Sequence, residues 1–483
     1  MNRVIVRAVW ASDVADRFDA WRVDGFAGEV GQTRIEQGEH GILALTGAGS
    51  RQQASVTGLR RAARTIARRI ARVFALTADP ADEPELLVDL DSFSNARDGA
   101  ARDGAARDGA ARDGAVWDDA VIQDVLSEEL TIGSYRFRMI SETDYISRAL
   151  TVPHNAGRVD GSGGAHPVAA AVNQARDLVN LPAVAKTPRG LAIRAVQLLE
   201  PRGIRCTVHD EQELKAGGFG GILAVGKGSP NPPVLLELSW GEGRPDYVFV
   251  GKGVTYDSGG LSLKSSAALM DMKSDMSGAA AVIAAFSLFP DIAPGRSLAA
   301  VIPLVENMPG PAATRPGDVA VLRDGSTLEV LDTDFEGRII LADALARAAE
   351  REPAAIIDIA SLTYAAQHAL GNDYAALFAN DDSLAERVLA VSATCGDRAW
   401  RLPMQPGLHA QIQSPIADFK NFPGASDART ASAALLLSQF VGTVPWAHID
   451  MVGPGFRLQA DDEYAAGGTG YGVRLLAGVV RDV

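Results

Sequence analysis

Residues 247–276 read YVFVGKGVTYDSGGLSLKSSAALMDMKSDM. The first part is a continuous apolar run punctuated by glycine, as expected of a strand buried on both faces. The second part carries Asp257, Lys264, Asp271, Lys273 and Asp275, with Lys252 just upstream. The stretch therefore predicts a buried strand that runs out into a charged turn and then enters a helix. In α/β folds ligands gather at such strand ends.

Outward from this stretch the alternation continues. Helices are predicted at 168–180 (VAAAVNQARDLVN), 191–203 (LAIRAVQLLEPRG), 276–289 (MSGAAAVIAAFSLF) and 337–351 (GRIILADALARAAER). Strands are predicted at 233–240 (PVLLELSW), 246–251 (DYVFVG), 297–305 (SLAAVIPLV), 327–331 (TLEVL) and 353–360 (PAAIIDIA). Apolar strands separated by amphipathic helices specify an α/β class with a mostly parallel central sheet covered by helices. A chain of 483 residues exceeds one ordinary core. A smaller N-terminal α/β domain is expected over 1–153, a Gly-rich polar linker over 154–167 (HNAGRVDGSGGAHP) and a catalytic domain over 168–483. Residues 96–115 are four copies of ARDGA, charge-balanced and with glycine every fifth residue, which reads as a mobile surface loop.

Composition excludes several classes of function. The chain is 47% hydrophobic and 22% charged, and its apolar runs fall short of a membrane span. Forty-six basic against sixty acidic residues give a net charge of −14, which disfavours nucleic-acid partners. The start has no apolar leader with a cleavage pattern, so a cytoplasmic location is expected. Two cysteines, Cys206 and Cys395, supply neither a disulfide framework nor a cysteine zinc site and read as buried fillers. The seven histidines are scattered without an HExxH pair. GILAVGKG at 221–228 resembles a phosphate loop, but Gly228 stands where Ser or Thr must hold magnesium, so it reads as a tight turn after a strand. No GxSxG elbow is present. TGLRRAARTIARRIARVFAL at 57–76 reads as an amphipathic helix with a solvated arginine face.

Two acid-rich turns remain. Lys252 and Asp257 follow one strand, with Gly259 and Gly260 able to turn closely, and Asp275 either caps the next helix or joins a site. DTDFEGR at 332–338 places Asp334, Glu336 and Arg338 at every second position, which in extended backbone sends them to one side. Facing carboxylates repel one another unless cations lie between them. Two divalent ions about 3.5–4 Å apart would activate water and clamp a tetrahedral intermediate. A lysine that ligates metal must be neutral, which desolvation and the metal's charge both favour.

GKGVTYDSGGLSLK, MDMKSDMSGAA, RPGDV and DTDFEGR together resemble the motifs of the leucyl, or cytosol, aminopeptidases. The resemblance runs from ARDLVNLPA near 175 through ENMPG and DIASLT to WAHIDMVG and GTGYGVR. It implies a metal-dependent exopeptidase, typically a homohexamer, acting on peptides or amino-acyl substrates with a free N-terminus. It implies two divalent ions per subunit, zinc or manganese with magnesium or cobalt as alternatives, held by Lys252, Asp257, Asp275, Asp334 and Glu336, with Asp257 and Glu336 bridging. Lys264 would polarise the scissile carbonyl, and Arg338 would hold a bicarbonate acting as general base. Met272, Ser361, Leu362 and Tyr364 would line the place of the first substrate residue. Asp271 and Lys273 receive no role and read as solvated or structural.

Three positions depart from the family pattern. Asp332 stands in place of Asn, Phe335 in place of a small residue and Tyr364 in place of glycine. Tyr364 admits a second reading, a specialised amidase or peptidase acting on a biosynthetic intermediate. A DNA-binding regulatory role has only the arginine-rich helix in its favour.

Overall fold

The computed structural model describes residues 3–10, 32–38, 41–49, 56–74, 85–88, 119–142, 144–148, 166–424 and 427–481. The ARDGA repeat and all of the expected linker but His166 and Pro167 lie outside them. The described residues fall into two compact units. One is drawn from Met1–Arg138, Ile146–Asn173 and Gln459–Ala466, the other from Met139–Tyr145, Gln174–Leu458 and Gly467–Val483.

In the smaller unit, β1 (Arg3–Trp10), β2 (Thr33–Gly38), β3 (Gly41–Gly49) and β4 (Glu85–Val88) form a sheet ordered β2-β3-β1-β4. The helix α1 (Val56–Phe74) packs on α2 (Asp119–Gly133), and Ile66 and Ile70 of the first and Ile122, Leu126 and Leu130 of the second are buried. The arginines of α1 are not simply solvated. Arg60 pairs with Glu128 at 2.9 Å and Glu129 at 2.8 Å, and Arg64, only 4% exposed, pairs with Glu129 at 2.7 Å. Apolar stems pack while the heads meet acids supplied by α2, so these guanidiniums are already engaged within the fold.

The larger unit begins with α3 (Pro167–Asn180, shared with the smaller unit), α4 (Pro188–Leu199) and β5 (Arg205–His209). Next come β6 (Val234–Trp240), β7 (Tyr247–Gly251), β8 (Gly253–Asp257), α5 (Ser277–Phe286) and β9 (Leu298–Asn307). They are followed by β10 (Asp318–Val321), β11 (Thr327–Val330), α6 (Gly337–Ala349), β12 (Ala355–Ala360), α7 (Tyr364–Leu370) and β13 (Ala375–Ala379). The unit ends with α8 (Asp382–Cys395), β14 (Ala399–Arg401), β15 (Phe419–Lys420), α9 (Arg429–Leu437), β16 (Trp446–Asp450) and α10 (Val473–Arg481).

Nine of these strands form the central sheet, ordered β14-β13-β16-β12-β7-β9-β6-β5 with β8 paired to β9. Its middle is parallel, and the strands β7, β9, β12 and β16 are buried throughout. β5, β6 and the β13–β16 pair run antiparallel. The helix α5 is buried along its length, and Phe286 and Phe289 close on Phe249 of β7 with ring centroids 6.2 and 5.7 Å away. Aromatic burial of this kind stabilises by about 1.5–3 kcal/mol per ring.

Several expectations are corrected. TLEVL is not in the central sheet but in a small separate one, β10-β11-β15. GILAVGKG does not follow a strand, since Gly220–Gly226 is itself a helix with its turn after it. Cys206 and Cys395 are half-buried, and burial pushes the Cys206 thiol up to about 11.

Candidate metal centre

β7 and β8 are separated by Lys252 alone, and β8 ends at Asp257. Gly259 and Gly260 then take φ of +85° and +64°, which lets the chain turn back beneath its own carboxylate. Asp257 Oδ1 accepts from the Gly259 amide at 2.9 Å and from Asn307 Nδ2 at 2.8 Å. The turn returns Lys264, whose ammonium lies 2.9 Å from Asp257 Oδ2 and pairs with Asp334 as well.

Asp275 stands two residues before α5 and does not cap it: the N-cap residue is Met276, with no side-chain cap bond. Instead, Asp275 Oδ1 accepts from Lys252 Nζ and from Ser361 Oγ, both at 2.8 Å. Lys252 also meets Glu336 Oε1 at 2.9 Å and the Ser361 carbonyl at 2.9 Å. Gly337 makes room for it, because a Cβ there would come within 2.5 Å of the lysine Cε.

The alternation argument for DTDFEGR gathers Asp334, Glu336 and Arg338 by a geometry that the structure does not have. Asp334 lies in a turn, Glu336 is the N-cap of α6 with helical torsions, and Arg338 is already inside the helix. A turn followed by a helix start, not an extended segment, brings them to one cavity. Asp332 shapes that turn, its Oδ1 accepting from the Asp334 amide at 2.9 Å. An aspartate does here what an asparagine oxygen would do. Phe335 packs edge-on against Phe422 with centroids 5.0 Å apart, and the Arg338 guanidinium lies 4.6 Å over its ring.

A cavity of about 260 Å³ is lined by Lys252, Asp257, Lys264, Asp275, Asp334, Glu336 and Arg338 together with Met272, Ser361, Leu362 and Tyr364. The structure thus brings together every residue given a catalytic, metal or substrate role from the sequence. Tyr364 opens α7 and stays 49% exposed at the rim, while Met272 is buried. Ser361 uses both its hydroxyl and its carbonyl on Asp275 and Lys252. Asp271 lines the same cavity, and Lys273 turns away to donate to the Asn180 carbonyl at 2.9 Å.

The charges are strongly perturbed. Burial, and then repulsion from Glu336, raise Asp257. Burial raises Asp275 well above the usual carboxylate range, Glu336 and Asp257 adding to it against Lys252. Burial and the neighbouring Asp257 and Glu336 push Asp334 up to about 7. Glu336 moves the other way: burial opposes its charge, but Lys252 and Lys264 outweigh it and hold it low. Both ammoniums resist burial because the acids around them hold the charged forms above the ordinary lysine value. Burial brings Arg338 down to about 10.

These donors fit divalent cations. One oxygen from each of Asp257, Asp334 and Glu336 lies within 4.8 Å of the others, and Asp275 Oδ2 is buried with no hydrogen-bond partner among the described residues. These carboxylates, with surplus negative charge, suit a hard dication, and Lys252 can add a nitrogen only after losing the proton its neighbouring acids hold on it. Arg338 Nη1 donates to the Asn421 carbonyl at 2.8 Å, whereas its buried Nε has no hydrogen-bond partner among the described residues. A planar anion is the natural acceptor for such a donor.

Sequence reasoning missed the residues that hold the loops. Asn307 braces Asp257 and the Thr333 carbonyl, and Asn421 Nδ2 donates to the Asp332 carbonyl at 2.6 Å. Asp450, at the end of β16, accepts from the Leu362 amide at 3.1 Å and from the Thr363 hydroxyl at 2.6 Å. Asn307 and Asp450 fall in ENMPG and WAHIDMVG, so their motifs were visible but their partners were not.

The catalytic-domain model of the cytosol aminopeptidase family matches residues 173–477. A probable cytosol aminopeptidase of Syntrophotalea carbinolica is 43% identical over 366 residues, 73% of this chain and 73% of that protein. Another from Roseiflexus castenholzii is 42% identical over 373 residues, 74% of this chain and 76% of that protein. Among solved structures, the bottromycin maturation enzyme BotP in complex with Mn aligns with a TM-score of 0.81 at 33% identity, covering 100% of this chain and 99% of that one. The cytosol aminopeptidase from Coxiella burnetii aligns with a TM-score of 0.78 at 27% identity, covering 99% and 97%.

Proposed function

The chain belongs to the cytosol aminopeptidase family of metallo-exopeptidases, and from that premise we propose that it removes the N-terminal residue from peptides with a free α-amine at a two-metal centre. Asp257, Asp275, Asp334 and Glu336 would hold the ions, joined by Lys252 once it gives up the proton that the surrounding acids keep on it. When bound, such ions lower the pKa of water and polarise a carbonyl, and a bicarbonate would serve as the proton acceptor. Lys264 directs its ammonium toward the oxygen that gains charge as the scissile carbonyl is attacked. Arg338 orients the bicarbonate through its guanidinium, held over the Phe335 ring. Met272, Leu362 and Tyr364 enclose the first side chain, and Ser361 keeps Asp275 and Lys252 in register. The observation that carries this reading is the gathering of four carboxylates and two lysines around one cavity, with Asp275 Oδ2 unsatisfied. A homohexameric, cytoplasmic enzyme accords with the family.

The test is hydrolysis of leucine amide and of its N-acetyl form. Chelation should abolish turnover, zinc, manganese or cobalt should restore it, and the acetylated substrate should be inert. Full activity in excess chelator, or equal cleavage of both substrates, would refute the scheme.

A second reading, a specialised peptidase acting on a biosynthetic intermediate, is favoured by the likeness to BotP and by the half-exposed Tyr364 at the rim. A panel of dipeptides and longer precursor-like peptides separates the two, since a general aminopeptidase cleaves most of them at comparable rates.

A further inference from the structure

Lys186 follows a single 3-10 turn, Ala183–Ala185, and is completely buried. Its Nζ donates to the carbonyls of Leu178 at 2.9 Å, Val179 at 2.7 Å and Lys273 at 2.7 Å, with Met276 Sδ at 3.4 Å. The first two are end carbonyls of α3, which lack partners within a helix, and Pro182 has no N–H to offer Leu178. The helix dipole favours a positive charge at this end. The third carbonyl lies in the turn Met272–Ser274, two residues before Asp275.

Burial, and then the nearby Lys273 ammonium, push Lys186 well below the ordinary lysine value. Against this, three carbonyl acceptors require the three N–H donors that only the ammonium has. A neutral amine would leave one buried oxygen unpaired, with its desolvation uncompensated. Three backbone oxygens converging on one charge is the environment in which carbonyls hold a monovalent metal ion.

We propose that Lys186 is a positioning residue whose ammonium acts as a built-in cation in a cage of three backbone carbonyls, fixing the turn that carries Asp275 and Met272. Lys273, donating to the Asn180 carbonyl, ties the same turn to the same helix end. Without the charge, the three oxygens repel one another and the turn keeps only the Lys273 tie to the end of α3. Asp275 then loses its alignment with Lys252 and Glu336. The importance of that turn rests on the aminopeptidase reading.

The experiment uses the full chain and its Lys186→Ala and Lys186→Gln variants in buffer with choline as the sole monovalent cation. Mn²⁺ is titrated by EPR, and near-UV circular dichroism confirms folding. Lys186→Ala should bind Mn²⁺ about tenfold or more weakly, as expected when the support of a ligand is removed. Added K⁺ or propylammonium should restore affinity saturably by filling the cage. A merely structural role would lower Tm and leave Mn²⁺ affinity per folded molecule unchanged, and that result would overturn the proposal. Weakened binding insensitive to every monovalent cation tested would overturn the cage. Should Lys186→Ala not fold, Lys186→Gln decides: its two N–H donors should give an intermediate loss, and wild-type affinity would overturn the proposal. A wild type that binds no Mn²⁺ would instead remove the aminopeptidase reading, and with it the role given to Asp275.

Discussion

The arginine face of α1 and the floor of the cavity both bury charge, but they balance it differently. Glu129 is buried with one carboxylate oxygen on Arg60 and the other on Arg64. At the cavity, four carboxylates share the ammoniums of Lys252 and Lys264, and Asp275 Oδ2 is left over. Burial, and then repulsion within that group, raise Asp257, Asp275 and Asp334. A balanced cluster needs nothing further, whereas a cluster with surplus charge gains stability from an added cation. In the sequence the two are equally charged stretches, and pairing is what separates structure from site.

The largest expected effect breaks the balanced cluster. Glu129→Ala removes the carboxylate that Arg60 and Arg64 share, leaving Arg60 with Glu128 and Arg64 with Glu463 and Tyr464, and a loss of about 3–4 kcal/mol of stability, the lower part of the range for a broken buried pair, is expected. Denaturant unfolding reads the loss, and turnover per folded molecule should stay at the wild-type value. Next comes Lys264→Ala on the unbalanced side, which should lower kcat by about 10²–10³ in the Mn²⁺-loaded protein, where the added cations pair with Asp257 and Asp334 and hold the loss of Tm below that of Glu129→Ala. If that variant retains kcat and loses more stability than Glu129→Ala, the two clusters have been assigned the wrong way round.

Smaller effects sharpen the site. Tyr364→Gly should raise kcat/KM for substrates beginning with Leu or Met relative to Ala or Gly, by about 1–3 kcal/mol in discrimination, with metal content unaltered. An unchanged profile would mean that the ring does not limit the pocket. Phe335→Ala removes the ring beneath Arg338 and should cost about 0.5–2 kcal/mol in transition-state stabilisation. Bicarbonate titration of activity measures it, the half-saturating concentration being expected to rise; an unmoved curve would confine Phe335 to packing.

Most of the charged cavity lining was legible because each motif is local: strand, turn and charged residue lie within a few positions of one another. The periodic helices and apolar strands were legible for the same reason. What could not be read was set by distant chain. Asn421 reaches the Asp332 carbonyl across 89 residues, and Asp450 reaches Leu362 across 88. TLEVL has the pattern of any buried strand, and only its pairing with β10 and β15 puts it in a separate sheet. The extended reading of Asp334 to Arg338 failed because the Asp332 side chain and the start of α6 impose a turn that alternation cannot reveal.

The central claim, that the surplus of buried carboxylate marks a two-metal centre, is tested most directly by counting ions. Purified chain equilibrated with Mn²⁺, freed of excess and analysed by plasma mass spectrometry, should carry two ions per chain, and Asp275→Asn should carry fewer. A wild type that holds none, or an Asp275→Asn variant that keeps both with unchanged affinity, would contradict it.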